Sequence, residues 1–477
     1  MGKETMGYLN DGASKQLRKS IAAMECQIVR LLCDDAFLPQ DDAATLRWGL
    51  SLARITKVRV KKEDVVEDIA IEHATDRFRA ELFAQLSTVI GYSGVNKEKL
   101  KNLCPQITRL VKAERAELLS LFKALPKNAL DDAIRRRPLA LTLSGGGGTA
   151  YVFIGAFFAM EESGITPSVI TGSSMGAILG AYRARTKSFS IDGLDALVEK
   201  TSWSKIAQPY NGPSRFGVPA TFRLYLRDVV GHEFEQDGNF IRIKDLEIPL
   251  RVCVAGLSAK SAPKEEELQK YAHLLDQAKG SRLASAKDKS IISAIMEFAQ
   301  KPLKPIYLGA DALTKEFDVL DAIGFSAAIP GVFHYDIMRN DPRMINLVTS
   351  LFEREGIIRL IDGGFVDNLP AQEAIKAVDD GECDGFDPLV LALDSFAPGF
   401  NRHFLFYPVM RFAMENSREG HELAHISVVF KDVLSPINLV PTRETFLYAI
   451  KTGYQQFSSH LPLIRKIIGP IPDPSWL

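Results

Sequence analysis

The 477-residue sequence has little cysteine, little tryptophan and no surplus of charge of either sign. Its five cysteines (Cys26, Cys33, Cys104, Cys253 and Cys383) are an odd number at irregular intervals, none in C-x-x-C spacing. That argues for free thiols in a reducing compartment and against a zinc site. A formal charge of -1 gives no global reason to expect a nucleic-acid partner. The opening MGKETMGYLNDG has no apolar core of the kind a signal peptide needs. It begins Met-Gly without the Ser or Thr that myristoylation requires, so a cytoplasmic protein is expected. Pro138 to Met160 is uncharged and long enough to span a bilayer. It carries four adjacent glycines, each costing about 0.8–1 kcal/mol inside a helix, which argues against a membrane span.

What is present is a globular composition, 46% hydrophobic and 25% charged, in a chain long enough for two or three structural units. Leu139 to Ala181 organises the rest. The apolar run Leu139 to Leu143 has the length of a buried strand, and four glycines follow, Gly145, Gly146, Gly147 and Gly148. Tyr151 to Met160 is apolar throughout, and Glu161-Glu162-Ser163-Gly164 ends a helix there. Val169-Ile170-Thr171 then leads into Gly172-Ser173-Ser174-Met175-Gly176 and a helix of small residues. Gly172-x-Ser174-x-Gly176 is a nucleophile-elbow pattern: a tight strand-to-helix turn lifts the serine hydroxyl to a helix N-terminus. The glycine cluster upstream suits backbone N–H donors aimed at an oxyanion. Gly145-x-Gly147-x-x-Ala150 also satisfies a dinucleotide fingerprint. That reading wants an acidic residue at the end of the next strand, where Thr171-Gly172-Ser173-Ser174 stands instead.

Residues 13 to 137 read as helical, with Leu17, Ile21, Met24, Ile28 and Leu31 at three- and four-residue steps. Dimerisation, partner binding and shielding of an active site are equally open for them. His73 reads as a solvated residue, and Arg135-Arg136-Arg137 as either a contact for anionic lipid or, more commonly for so short a run, a solvated one. Ile248 to Ala255 is a strand candidate, and 258–304 a lysine-rich helical insertion, either a lid or a solvated excursion. Leu320 to Phe333 reads as a helix closed by a Pro-Gly turn. Ile357 to Ile361 is a strand ending on Asp362-Gly363-Gly364, where Asp362 is either a turn residue or the base that activates Ser174. Leu389 to Leu393 is another strand, ending at Asp394. The tail is helical and amphipathic, and its stretch Arg402 to Tyr407 suits either buried packing or a membrane surface.

Four motifs in this order resemble the patatin-like phospholipases: Ser144 to Gly148, Gly172 to Gly176, Ser326-Ala327-Ala328-Ile329-Pro330-Gly331-Val332-Phe333, and Asp362-Gly363-Gly364-Phe365-Val366-Asp367-Asn368-Leu369-Pro370. The resemblance implies a three-layer α/β/α core and lipid acyl-ester hydrolysis of the phospholipase A or lysophospholipase type. It makes Ser174 the nucleophile, Asp362 the base and Gly145 to Gly148 the oxyanion loop, with no cofactor and no metal. Thr149 and Ala150 stand where the family carries a cation and a glycine, which favours neutral or single-chain esters over phosphate headgroups. The expected division is an all-helical domain over 1–137, the catalytic domain over 138–397 with the 258–304 insertion, and a helical extension over 398–477 packed on the core. The expected partners are a lipid or lysolipid ester, a transient membrane surface that would make the protein peripheral, and a second copy through the N-terminal helices. The competing expectation is a patatin-fold binding protein without catalysis. A Ser174…Asp394…His403 or His421 order would suit a hydrolase triad, but it leaves the Asp362-Gly363-Gly364 setting unused.

Overall fold

The computed structural model describes residues 11–34, 36–62, 65–91, 94–190, 202–209, 214–259, 301–396 and 407–477. His403, with most of the aromatic-basic stretch around it, and nearly all of the expected 258–304 insertion lie outside them. The chain divides into two compact units, one made of residues 1–139, 378–389 and 460–477, the other of 140–377 and 390–459. Among the described residues no helix is long and apolar enough to cross a membrane.

The first unit is built on helices Asp11–Asp34, Gln40–Arg54, Asp76–Ser87 and Lys97–Leu121, with Ile21, Ile28, Leu50, Leu82, Leu100 and Val111 in its core. It is not all-helical. Lys57–Lys62 pairs antiparallel with Val65–Ala70, and Ile90–Gly91 with Gly94–Val95. The first hairpin follows from alternation: Val58 and Val60 are buried, while Lys57 before them and Arg59 between them are not. Nor does the unit end at residue 137. Trp476 stacks edge-on against the fully buried Trp48 at 5.4 Å and donates its indole N–H to Thr45 at 2.8 Å. Arg54 donates to the carbonyls of Phe386 and Asp387. A cut at the expected boundary would therefore strip the 378–389 and 460–477 segments of partners inside their own unit.

The second unit is organised by a seven-stranded sheet of β1 (Leu139–Leu143), β2 (Val169–Ser173), β3 (Leu250–Ser258), β4 (Leu303–Leu308), β5 (Ile357–Asp362), β6 (Leu389–Asp394) and β7 (Ile426–Val429). Its order is β4-β3-β2-β1-β6-β7, with β5 also pairing β3. Every residue of β1, β2 and β6 is buried, as expected of strands covered on both faces. Helices flank the sheet to make the three-layer α/β/α core. The expected helical extension after residue 398 contributes β7, which pairs parallel with β6. Its four residues alternate buried and exposed, too short a run to stand out between helices.

The long strand β3 positions everything that matters next. Its first half pairs parallel with β2, Cys253 opposite Ser173. Its second half pairs antiparallel with β5, Val254 opposite Asp362. Thus β2 and β5 run toward each other along β3 and end at adjacent positions of it.

Candidate active site

Ser174 follows β2 directly and precedes the helix Met175–Ala184, with φ 51° and ψ -125°. A non-glycine residue with positive φ costs about 1–3 kcal/mol and persists where its surroundings over-determine it. Two constraints hold it here. Gly176 presses so closely on the Leu143 and Ser144 carbonyls that a Cβ would overlap both oxygens. The Ser174 N–H donates to the Ser326 hydroxyl at 2.9 Å, and that hydroxyl donates to the Cys253 carbonyl at 2.7 Å. Ser326 is fully buried and so pins the elbow to β3. Gly172 lies in β2 itself, on the far side of the same turn.

Asp362 closes β5 and is only 3% exposed. Its backbone N–H donates to the Ala328 carbonyl at 3.0 Å, two residues past Ser326. The Ser326-to-Phe333 motif therefore holds both candidate residues at once. The expected helix over Leu320 to Phe333 is shorter than its apolar run: Val319–Ser326 is helical, and Gly331–His334 is a short strand. Gly363 sits on the Cys253 carbonyl, leaving no room for a Cβ. The Gly364 N–H donates to Asp362 Oδ1 at 2.8 Å. Asp362 Oδ2 has no hydrogen-bond partner among the described residues. Burial pushes this carboxyl up to about 7, against the opposing pulls of the nearby Ser174 hydroxyl and the Gly364 N–H. The serine is thus close enough to favour the charged carboxylate without a hydrogen bond of ordinary geometry, as is common for such pairs before substrate binds.

The glycine loop lies alongside. A Cβ on Gly145 would come within 2.9 Å of Ser174 Cβ. Its four N–H groups are not equivalent. Gly145 donates to the Asn368 carbonyl at 3.2 Å and Gly148 to the Pro436 carbonyl at 2.9 Å. Gly146 and Gly147 make no backbone hydrogen bond through their N–H to any described residue, so these two, with Met175 N–H at the helix start, suit an oxyanion. Thr149 is buried, its hydroxyl 2.7 Å from that of Ser395 and donating to the Gly146 carbonyl at 2.8 Å. It supports the loop's shape from within.

The supporting residues that sequence reasoning missed are amides. Asn416 donates to the Gly364 carbonyl at 2.9 Å, and its own carbonyl accepts from Asn368 N–H. The Asn368 side chain donates to Ser417 at 3.0 Å. Asn368 thereby ties the aspartate turn to the glycine loop. Its place in the Asp362-to-Pro370 motif was a signal; Asn416, in a charged helix, had none.

The competing acid–histidine pair does form. His421 Nε2 lies 2.8 Å from Asp394 Oδ2, but Nδ1 lies 2.6 Å from the Ser427 hydroxyl. Both ring nitrogens are occupied, so the imidazole is spent in joining β6 to β7. His421→Ala is expected to change ester turnover by no more than about threefold, far short of the ~10²–10⁴-fold that loss of a general base costs. Steady-state kinetics on the folded variant decides it, and a hundredfold fall would restore the histidine to the mechanism.

A cavity of about 130 Å³ reaches Ser174, with Gly147 and Met175 beside the serine and mostly aliphatic and aromatic walls that include Ile154, Ile178 and Phe446. Asp362 does not line it, which keeps the carboxyl away from solvent. Among the described residues no group of three His, Cys, Asp or Glu side chains is placed to hold a metal ion. The family model described as Patatin-like phospholipase matches residues 141–375. A search of curated proteins returns no match.

Proposed function

Because the chain belongs, over residues 141–375, to the patatin-like phospholipases, a family of lipid acyl hydrolases, we propose that it hydrolyses lipid acyl esters with Ser174 as nucleophile and Asp362 as its base. The observation that carries this reading is the register on β3, which brings Ser173 and Asp362 to adjacent positions and the elbow serine to an apolar cavity. The ester's acyl chain lies in the cavity with its carbonyl carbon at Ser174 Oγ. Asp362 takes the hydroxyl proton as the C–O bond forms, and the Gly146, Gly147 and Met175 N–H groups receive the oxyanion. Collapse of the tetrahedral intermediate expels the alcohol, which takes the proton from Asp362. Water then attacks the acyl-enzyme with Asp362 again as base, releasing the fatty acid and restoring Ser174. A carboxyl with a pKa near 7 is matched to accepting and returning a proton at neutral pH. Thr149 in place of a cation supports a neutral or single-chain ester over one recognised through a phosphate headgroup.

Labelling with a fluorophosphonate, followed by peptide mapping, tests the assignment. Modification of Ser174 alone is the expected result. An unlabelled protein that also turns over no ester would instead be a binding protein of the same fold, acting through its N-terminal unit.

A further inference from the structure

The cavity does not stop at the serine. Met175, Ile178, Leu179 and Tyr182 all line it, the i, i+3, i+4, i+7 set of a single helix face. It therefore runs along the elbow helix, and the eight steps from Ser174 to Tyr182 rise about 12 Å at roughly 1.5 Å each. Tyr182 and Phe234 stand together at that end, 9% and 1% exposed. Behind them is a brace. The Arg185 guanidinium lies 4.2 Å from the centre of the Tyr182 ring and 5.9 Å from that of Phe234. Arg185 is itself fixed, paired with the Glu233 carboxylate and donating to the Glu233 carbonyl at 2.9 Å. A ring with a stacked cation on one side, tied to the neighbouring chain segment, has little freedom to swing aside for a longer ligand.

We propose that Tyr182, braced by Arg185 and Glu233, is the end wall of a groove for an unbranched acyl chain and limits that chain to about ten carbons. The length follows from geometry: an extended chain covers roughly 3.3–3.6 Å per three bonds, so about 12 Å holds about ten bonds. The walls between serine and tyrosine are apolar, and the Tyr151 hydroxyl at the groove's side is taken up by the Leu439 carbonyl at 2.7 Å. No described residue of that stretch calls for a polar group on the chain. This inference rests on the acyl-hydrolase reading above and names the part of the substrate that the cavity measures.

The test compares the wild type with Tyr182→Ala, Tyr182→Trp and Tyr182→Phe. The turnover arm measures kcat/KM on p-nitrophenyl esters from four to sixteen carbons. The binding arm measures fatty acids of the same lengths by calorimetry on Ser174→Ala, alone and combined with each Tyr182 change, so it needs no catalysis. In the wild type both profiles should rise by up to about fourfold per carbon, the worth of a buried methylene, and break near eight to ten carbons. Tyr182→Ala should raise the fourteen- to eight-carbon ratio at least about tenfold by the same scale. Tyr182→Trp should move the break to shorter chains, and Tyr182→Phe should leave it in place. Should the alanine variant not fold, the tryptophan variant still reads the wall by its opposite shift. Profiles that superimpose for the alanine or tryptophan variant and the wild type in both arms overturn the end wall. Ester turnover with an unmoved break sinks the wall and keeps the hydrolase. A break that moves with Tyr182 in binding, with no ester turned over by the wild type, keeps the groove and sinks the hydrolase.

Discussion

Ser174→Ala is expected to lower ester turnover by at least about 10⁴-fold, the scale of removing a nucleophile that acts in concert with its base. The loss should fall on kcat, because the apolar cavity walls proposed to hold the acyl chain are untouched. Stability should hardly move. The elbow is maintained by the Ser174 N–H to Ser326 bond and by the Gly176 contact with Leu143 and Ser144, and neither uses the Ser174 hydroxyl. Thermal unfolding within a few degrees of the wild type, with no measurable burst of acyl-enzyme, is the combined signature. Activity within a few-fold of wild type in a sample free of contaminating esterase would remove Ser174 from the chemistry.

Asp362→Asn is expected to separate activity from stability in opposite directions. Turnover should fall by about 10²–10⁴-fold, the range for loss of a general base. In the wild type kcat/KM should climb about tenfold per pH unit in acid and level off above about pH 7, where Asp362 is ionised. A carboxyl at its ordinary value would level off near pH 4. The stability effect has the other sign. Below about pH 4 the carboxyl is neutral in both folded and unfolded chains and costs nothing. Between pH 4 and 7 the unfolded chain releases the proton and the folded one keeps it, so stability falls as pH rises and is flat above 7. The full penalty is about 4 kcal/mol, three pKa units at roughly 1.4 kcal/mol each. The substituted amide cannot ionise, and its oxygen still accepts from the Gly364 N–H. The variant should therefore unfold at a higher temperature than the wild type at pH 8 and at nearly the same temperature at pH 4. Equal melting curves at pH 8, or a kcat/KM plateau reached by pH 5, would show an unperturbed carboxyl.

Much of the site was legible because its constraints are short-range. A strand ending in Gly172-x-Ser174-x-Gly176, and another ending in Asp362-Gly363-Gly364, each announce a turn in which a side chain is lifted off a sheet. The all-buried strands β1 and β6 read as apolar runs, and the family resemblance set the order of motifs around them. The hairpin at Lys57–Lys62 was missed for the converse reason: Lys57, Arg59, Lys61 and Lys62 outnumber the two valines whose alternation defines it.

What joined Ser174 to Asp362 was not in either motif. They are about 190 residues apart, and the meeting depends on Cys253 and Val254 being consecutive in β3, a strand with no catalytic signature of its own. The same holds for the unequal roles of the four glycines, decided by the distant carbonyls of Asn368 and Pro436. It holds also for Tyr182, which in sequence is one more residue of a small-residue helix. Local sterics and periodicity determine what a segment becomes, and the sequence carries them within a few residues. Register, desolvation and the capture of backbone donors depend on which segments pack together. Tertiary structure alone could turn an aspartate at a turn into a buried carboxyl with a pKa of about 7.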